Sequence, residues 1–326
     1  NAVSETDLLS ALATHHRLGL TDLQSLRPDP ALAKLLPATK AIALEAVPWQ
    51  RMGGTTVIAT AQPAHISSLR DALPDAERVI FTLAPRAQVL AAQVALYGHA
   101  LARRAEGQTP ARLSCRNWNA GRAMQAMLLV GLCLAMLTLA LPTVATVLLF
   151  SLAGLIFLSN VGLKALAFAT AGRAAQVDSA APRPATEASP TLLRLPVVSL
   201  LIPLFKERDI ASSLIENLAR LDYPAERLDV ILLIEEGDEM TRDAINACPL
   251  PPWIRHVAVP KGHPQTKPRA LNFGLNFARG SIVGIYDAED RPEPDQISKV
   301  VRKFAETWPE VACLQGRLDY YNSGHN

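Results

Sequence analysis

The sequence predicts an α/β fold: a mainly parallel sheet flanked by helices, joined to a small N-terminal α+β domain and a transmembrane helical hairpin. Three observations lead there. From residue 196 onward, short β-branched apolar runs alternate with apolar stripes of helical period, the pattern of repeated βα units. Residues 123–163 contain no charged side chain, enough for two crossings of a hydrocarbon core. Before them, residues 1–106 carry short helical and strand patterns around a Gly53-Gly54 turn, the sign of a hairpin.

Composition narrows the function. The chain has 326 residues and a net charge of +2, room for two domains plus extra elements and too little charge for a general nucleic-acid binder. The four cysteines, Cys115, Cys133, Cys248 and Cys313, form no C-x-x-C pair, so neither a disulfide framework nor a zinc site is expected. No H-E-x-x-H occurs among the seven histidines, and His15-His16 reads as helix surface. The chain opens on Asn1 without Met and closes at Asn326 soon after a strand-like run, which reads as a fragment cut at both ends.

In chain order, Leu8, Leu9, Leu12 and Ala13 give a first helical stripe. A hairpin follows over 51–59, a helix through Ile66, Leu69 and Leu73, a strand at 78–83 and a longer helix at 86–104. The uncharged run spans roughly 60 Å as helix, and Pro142 near its middle calls for a turn. The expected spans are about 123–141 and 144–163. Arg112, Arg116 and Arg122 precede them and Lys164 and Arg173 follow. Basic flanks at both ends place both soluble domains on the cytoplasmic side of the membrane. Residues 172–195, rich in Ala, Pro and Ser, read as a flexible tether that leaves the next domain without a fixed orientation.

The C-terminal domain reads as strands at 197–204, 228–234, 254–259, 281–286 and 311–314. Between them run helices through Ile210, Leu214, Leu218 and Leu221, through Leu271, Gly274, Leu275 and Ala278, and through Ile297, Val300, Val301 and Phe304. The 281–286 run is the centre of the chain. It reads as a buried strand leading straight into Asp287, Glu289 and Asp290. In an open α/β sheet the carboxyl ends of the strands are where ligands bind. Clustered carboxylates call for a cation, and hard oxygen donors favour Mg²⁺ or Mn²⁺, which can hold a substrate's phosphates. Three more points gather at loop mouths: Pro203 to Glu207 after the first strand, Glu235-Glu236-Gly237-Asp238 after the second, and Lys267 to Asn272 before the fourth. Right-handed crossovers bring the ends of the first, second and fourth strands to one edge. There, carboxylates can grip a nucleoside, and Lys267 can act as a point charge on a diphosphate.

These residues carry a resemblance. Val198-Ser199-Leu200-Leu201-Ile202-Pro203-Leu204-Phe205-Lys206-Glu207 resembles the opening V-S-x-x-I-P-x-Y-N-E of family 2 glycosyltransferases, with Phe and Lys for Tyr and Asn. Glu235-Glu236-Gly237 falls where that family has D-D-G. Lys267 to Asn272 matches its K-x-x-A-L-N box, and Asp287-Ala288-Glu289 its D-x-D metal motif, with Glu as the second acid. The resemblance covers 197–320 and implies a GT-A fold, incomplete here. It implies that Pro203, Glu207, Glu235 or Glu236, Lys267 and Asp287 bind a nucleotide-sugar donor, a UDP-sugar by preference. Asp287 and Glu289, with Asp290 as a third candidate, would hold the metal. Gln315 and Arg317 would lie on the acceptor side. The family inverts at the anomeric carbon with the Asp of a T-E-D-like motif as base. No such motif, and no Q-x-x-R-W, occurs between Arg291 and Asn326. The base is expected beyond Asn326, and this chain alone is expected to transfer no sugar.

In the first domain, Leu18-Gly19-Leu20, Leu35-Leu36-Pro37, Ala46-Val47-Pro48-Trp49 and 57–63 resemble the N-terminal domain of type II secretion ATPases, some of which bind cyclic di-GMP. Only Arg17-Leu18-Gly19 echoes the R-L-G-x-x-L nucleotide signature, so a structural module docking a protein partner ranks ahead of a cyclic di-GMP sensor. The expected whole is a membrane-bound transferase acting on a polysaccharide, lipid or other envelope acceptor. Two rivals stand beside it. One is a non-catalytic membrane adaptor with a degenerate transferase domain. The other is a nucleotidyltransferase, disfavoured because no Gly-rich basic loop follows the first strand.

Overall fold

In the computed structural model, residues 4–74, 77–114, 119–180, 195–207 and 210–316 are described. They divide into two compact units: two sheets with their helices, and a pair of long apolar helices.

The first sheet is built as its apolar periodicity requires. Helix α1 (Glu5–His16) is capped by Ser4, whose side chain accepts the Asp7 N–H, a standard N-cap. Strand β1 (Gly19–Leu20), helix α2 (Ala38–Ala43), the hairpin β2 (Ala46–Met52) and β3 (Thr55–Thr60), helix α3 (Ile66–Asp71), β4 (Val79–Leu83) and helix α4 (Arg86–Gly107) follow. The sheet order is β1-β4-β3-β2, antiparallel only at the β2–β3 hairpin. The helix and hairpin expectations for this region hold.

Helix α5 (Ala120–Ala140) and helix α6 (Pro142–Ala180) are joined through Leu141 alone. Pro142 opens α6, where its missing N–H costs nothing. Residues 120–140 and 142–170 are each long and apolar enough to cross a membrane, and 0% and 6% of these windows is buried. The helix pair of a soluble core would be buried, and these windows are exposed. One expectation is corrected: residues 172–180 continue α6 instead of opening a tether. The Ala-rich composition there sustains helix more readily than the Pro-rich stretch from Pro182 onward, which lies outside the described residues.

The second sheet holds β5 (Val198–Leu204), β6 (Leu228–Glu235), β7 (Ile254–Val259) and β8 (Ile282–Ile285). Between and after them come α7 (Ile210–Ala219), α8 (Glu239–Asn246), α9 (Lys267–Gly274) and α10 (Gln296–Glu306). The order is β7-β6-β5-β8, parallel throughout. β5 and β6 are almost wholly buried, as central parallel strands covered on both faces must be. Two expectations are corrected here. β8 is not buried: it pairs with β5 on one side, and Val283 and Ile285 are 40% and 56% exposed. Residues 311–314 form no strand.

The two sheets share a core. Leu36, Ile58, Phe81, Tyr97 and Leu101 cluster with Leu201, Ile231, Leu233, Val257, Phe273 and Phe277. Helix α4 runs along the seam, with Gly98 close to Pro260. Tyr97 donates to the Leu36 carbonyl at 2.8 Å and Gln93 to the Ala41 and Ala46 carbonyls, so the buried polar atoms of α4 find partners.

Candidate functional site

The carboxyl ends of β5, β6 and β8 lie along one edge, and each brings a functional group. After β5, Pro203 is half-buried within the strand and the chain turns at Phe205 and Lys206. Lys206 has φ 58°, a left-handed conformation costing roughly 1–2 kcal/mol for a residue with a Cβ. The turn is held from the next loop. Asp238, capping α8, accepts the Lys206 N–H at 2.5 Å, the Thr241 N–H at 3.1 Å and the Thr241 hydroxyl at 2.7 Å. The Glu207 N–H donates to the Thr241 hydroxyl at 2.8 Å. Burial pushes the Asp238 carboxyl up, but the Lys206 N–H and the Thr241 hydroxyl and N–H outweigh it and hold its pKa below the usual range. From the sequence, Asp238 sits in the 235–238 loop mouth without a role of its own, and Thr241 is not singled out. An Asp three residues before a Thr at a helix start is the signal that finds them.

The adjacent acids after β6 part company. Glu235 ends the strand with its side chain 8% exposed, 3.6 Å from Nη1 of Arg269. Burial raises its pKa, while Arg269 and a Gln265 hydrogen bond oppose the rise and Asp238 adds to it. Glu236 is exposed, and its carboxylate accepts the Lys261 N–H at 3.1 Å. Of the two, Glu235 is the one the fold builds into the edge.

Lys267 opens α9, and its ammonium pairs with the Asp287 carboxylate beyond β8. The structure therefore brings together Lys267 and Asp287, two residues expected from the sequence at a diphosphate. Glu289 is exposed two residues on. Asp290 turns back and accepts the Asp287 N–H at 2.8 Å, closing the 287–290 turn. Tyr286, just before it, donates to Gln296 at 2.7 Å, and burial, helped by Asp290, pushes its pKa up to about 12.

Among the described residues no three His, Cys, Asp or Glu side chains converge as a metal cage. The pair expected from the sequence is Asp287 and Glu289, and Asp287 already attracts the Lys267 cation. Two accessible carboxylates suit a hard divalent ion that keeps water and takes substrate phosphate oxygens. Gln315 is exposed in a segment without regular structure. Arg317 lies outside the described residues.

Other groups do not join this edge. At the amino end of the sheet, Asp229 accepts from Arg255 at 2.8 and 3.1 Å and from Ser199 at 2.7 Å. Burial raises its pKa, but Arg255 and Ser199 hold it below the usual range. A cavity of about 660 Å³ opens there, lined in part by Glu45, Arg86, Arg255 and Arg279. Its arginines are already matched by Glu45 and Asp229, so it adds no demand for a ligand.

Residues 16–103 match the MshEN domain family and residues 196–325 match Glycosyltransferase like family 2. Probable glycosyltransferase YdaM of Bacillus subtilis (strain 168) is 31% identical over 30% of this chain and 24% of its own length. Beta-monoglucosyldiacylglycerol synthase of Synechocystis sp. (strain ATCC 27184 / PCC 6803 / Kazusa) is 28% identical over 40% of this chain and 27% of its own. The solved structure of MshE with cdg is 34% identical, covers 29% of this chain and 70% of its own, and aligns with a TM-score of 0.27. The chain thus spans about a quarter of the length of these two curated relatives.

Proposed function

We propose that this chain, which carries an MshEN domain followed by a family 2-like glycosyltransferase domain, forms the donor-binding part of a membrane-bound inverting glycosyltransferase. The observation that carries this reading is the Lys267–Asp287 pair at the carboxyl edge of the parallel sheet. Two residues from separate motifs, the K-x-x-A-L-N box and the D-x-E, meet where a nucleotide diphosphate would lie.

Each residue has a role in this reading. The 205–207 turn, pinned by Asp238 and Thr241, forms one wall of the nucleoside site and presents Glu207. Pro203 lies next to the last residue of the strand beneath it, Glu235 supplies a carboxyl acceptor, and Glu236 holds the neighbouring 260–261 loop. Lys267 leaves Asp287 for the diphosphate when the donor arrives. Asp287 and Glu289 would hold a Mg²⁺ or Mn²⁺ ion, which when bound supplies charge stabilisation to the diphosphate. Asp290 keeps the Asp287 backbone in place. In the transfer itself an acceptor hydroxyl loses its proton to a base and attacks the anomeric carbon, the C1–O bond breaks, and the nucleoside diphosphate leaves.

The exposed apolar length of α5 and α6 supports a membrane hairpin in a bacterial inner membrane. At 1.5 Å per residue, the 39 residues of α6 exceed a ~30 Å hydrocarbon core, so its last turns stand clear on the cytoplasmic side. A relative named for a glucosyldiacylglycerol product supports a lipid or other envelope acceptor. For the MshEN domain the reading is a docking module, since α4 packs on the transferase sheet. Saturable cyclic di-GMP binding would make it a sensor instead.

Titration of the purified chain with UDP- and GDP-sugars, with and without Mn²⁺, tests the reading. Ion-dependent binding supports a transferase. A folded chain that binds none supports the adaptor alternative.

A further inference from the structure

Among the described residues, the buried side-chain polar atom left without a hydrogen-bond partner is Nη1 of Arg269. Arg269 sits on α9, two residues after Lys267, with its side chain 4% exposed. Its Nε donates to Oε1 of Glu106 at 2.7 Å, and its Nη2 to the Pro260 carbonyl at 2.6 Å. Nη1 stands 3.6 Å from Oε2 of Glu235. A buried cation is costly unless it is paired and hydrogen-bonded. This one is shared between a carboxylate near the end of α4, just past the 16–103 MshEN match, and a carboxylate at the donor edge. The loop around it is shaped to the pair. A Cβ on Gly262 would meet the Arg269 guanidinium and lie 2.6 Å from Oε1 of Glu106, so a larger residue there would push these two side-chain ends aside.

We propose that Glu106 and Arg269 are positioning residues for the donor site: Glu106 anchors Arg269 so that its Nη1 edge sets the place of the Glu235 carboxylate, coupling the MshEN domain to nucleotide-sugar binding. The proposal rests on the transferase reading above. Without Glu106, the guanidinium has Glu235 as its remaining acidic neighbour and is drawn onto it, which takes Glu235 from the nucleoside. Without Arg269, Glu235 stays buried with no cation beside it. The charged groups facing Glu235 are Arg269 from α9 and Asp238 from the turn after β6. Donor binding needs the ionised form, so binding falls as pH drops through the Glu235 pKa. Glu106→Gln, which strengthens the Arg269 field at Glu235, moves that acid limb to lower pH. Arg269→Met moves it to higher pH. A packing defect would not move the limb in opposite directions.

The test uses the 326-residue chain in detergent, titrated with UDP-glucose, UDP-N-acetylglucosamine and GDP-mannose in Mn²⁺ from acid to neutral pH. Glu106→Gln should weaken the donor bound by wild type roughly tenfold at neutral pH, with the limb shifts given above. Glu106→Asp, which keeps the carboxylate, should restore most of the affinity. Circular dichroism shows whether each variant is folded. If Arg269→Met is not, Arg269→Lys replaces it and should also move the limb upward, because a point charge cannot bridge both acids. Wild type that binds no donor at any pH overturns the transferase reading and this inference with it. Wild type that binds, with Glu106→Gln titrating identically or both variants shifting the same way, overturns the coupling alone.

Discussion

The Lys267 ammonium lies against the Asp287 carboxylate, joining the first turn of α9 to the loop after β8. Both side chains are close to half exposed, at 44% and 48%, so the pair adds little to stability, of order 0–1 kcal/mol. It does set charge at the point where a diphosphate would rest. Lys267→Met is therefore expected to leave thermal unfolding almost unchanged while lowering nucleotide-sugar affinity. Differential scanning calorimetry and titration on the same sample check both halves.

Asp238 is the acid that holds the 205–207 turn, the proposed nucleoside wall. Removing its carboxylate leaves the Lys206 and Thr241 N–H groups without their acceptor and is expected to cost about 1–3 kcal/mol. Its native pKa lies below the ordinary aspartate value. Its contribution is therefore present above the unfolded-state pKa and is lost as pH falls through the lowered native value. Thermal unfolding of wild type and Asp238→Ala across acid pH should show the two curves converging at the acid end.

Lys206 holds a left-handed backbone at the position where family 2 enzymes carry Asn, a residue that tolerates that conformation. Lys206→Asn should raise stability by about 1 kcal/mol. A melting temperature below that of wild type would contradict this.

At the amino end of the sheet, Arg255→Met leaves the Asp229 carboxylate buried without its main cation and should cost about 3–5 kcal/mol. Asp229→Asn, which removes the charge itself, should cost less. Gly280→Ala should be as severe as Arg255→Met, because a Cβ there would lie 2.5 Å from the Ser199 N and 2.6 Å from the Val197 carbonyl, blocking β8 from β5. Unfolding midpoints of the three variants rank them.

Much of this fold was legible because its signals are local. The Val198–Leu204 and Leu228–Glu235 strands are unbroken apolar runs, and the uncharged helices announce themselves by composition. The pairing of Lys267 with Asp287 follows from two motifs that the sequence places at one sheet edge. What stayed hidden depends on distant contacts. Glu106 precedes Arg269 by 163 positions, and nothing in either neighbourhood points to the other. Arg269 occupies a variable position of its box, and its importance comes from burial under α4. β8 read as buried from its apolar residues, yet burial depends on what covers the strand. The acids at 287–290 read as a metal pair, Asp287 and Glu289, with Asp290 as a third candidate, whereas the backbone turn engages Asp290. The shared core was equally silent, because the periodicity of Tyr97 and Leu101 marks an apolar face without naming its partner.

The measurement that bears most directly on the account is calorimetric titration of a nucleoside diphosphate sugar into wild type and Asp287→Asn, each with Mn²⁺ and with chelator. The account predicts saturable binding to wild type only when the ion is present, and its loss in Asp287→Asn despite an unchanged unfolding temperature. Binding of equal strength in all four titrations, or none by folded wild type, would contradict it.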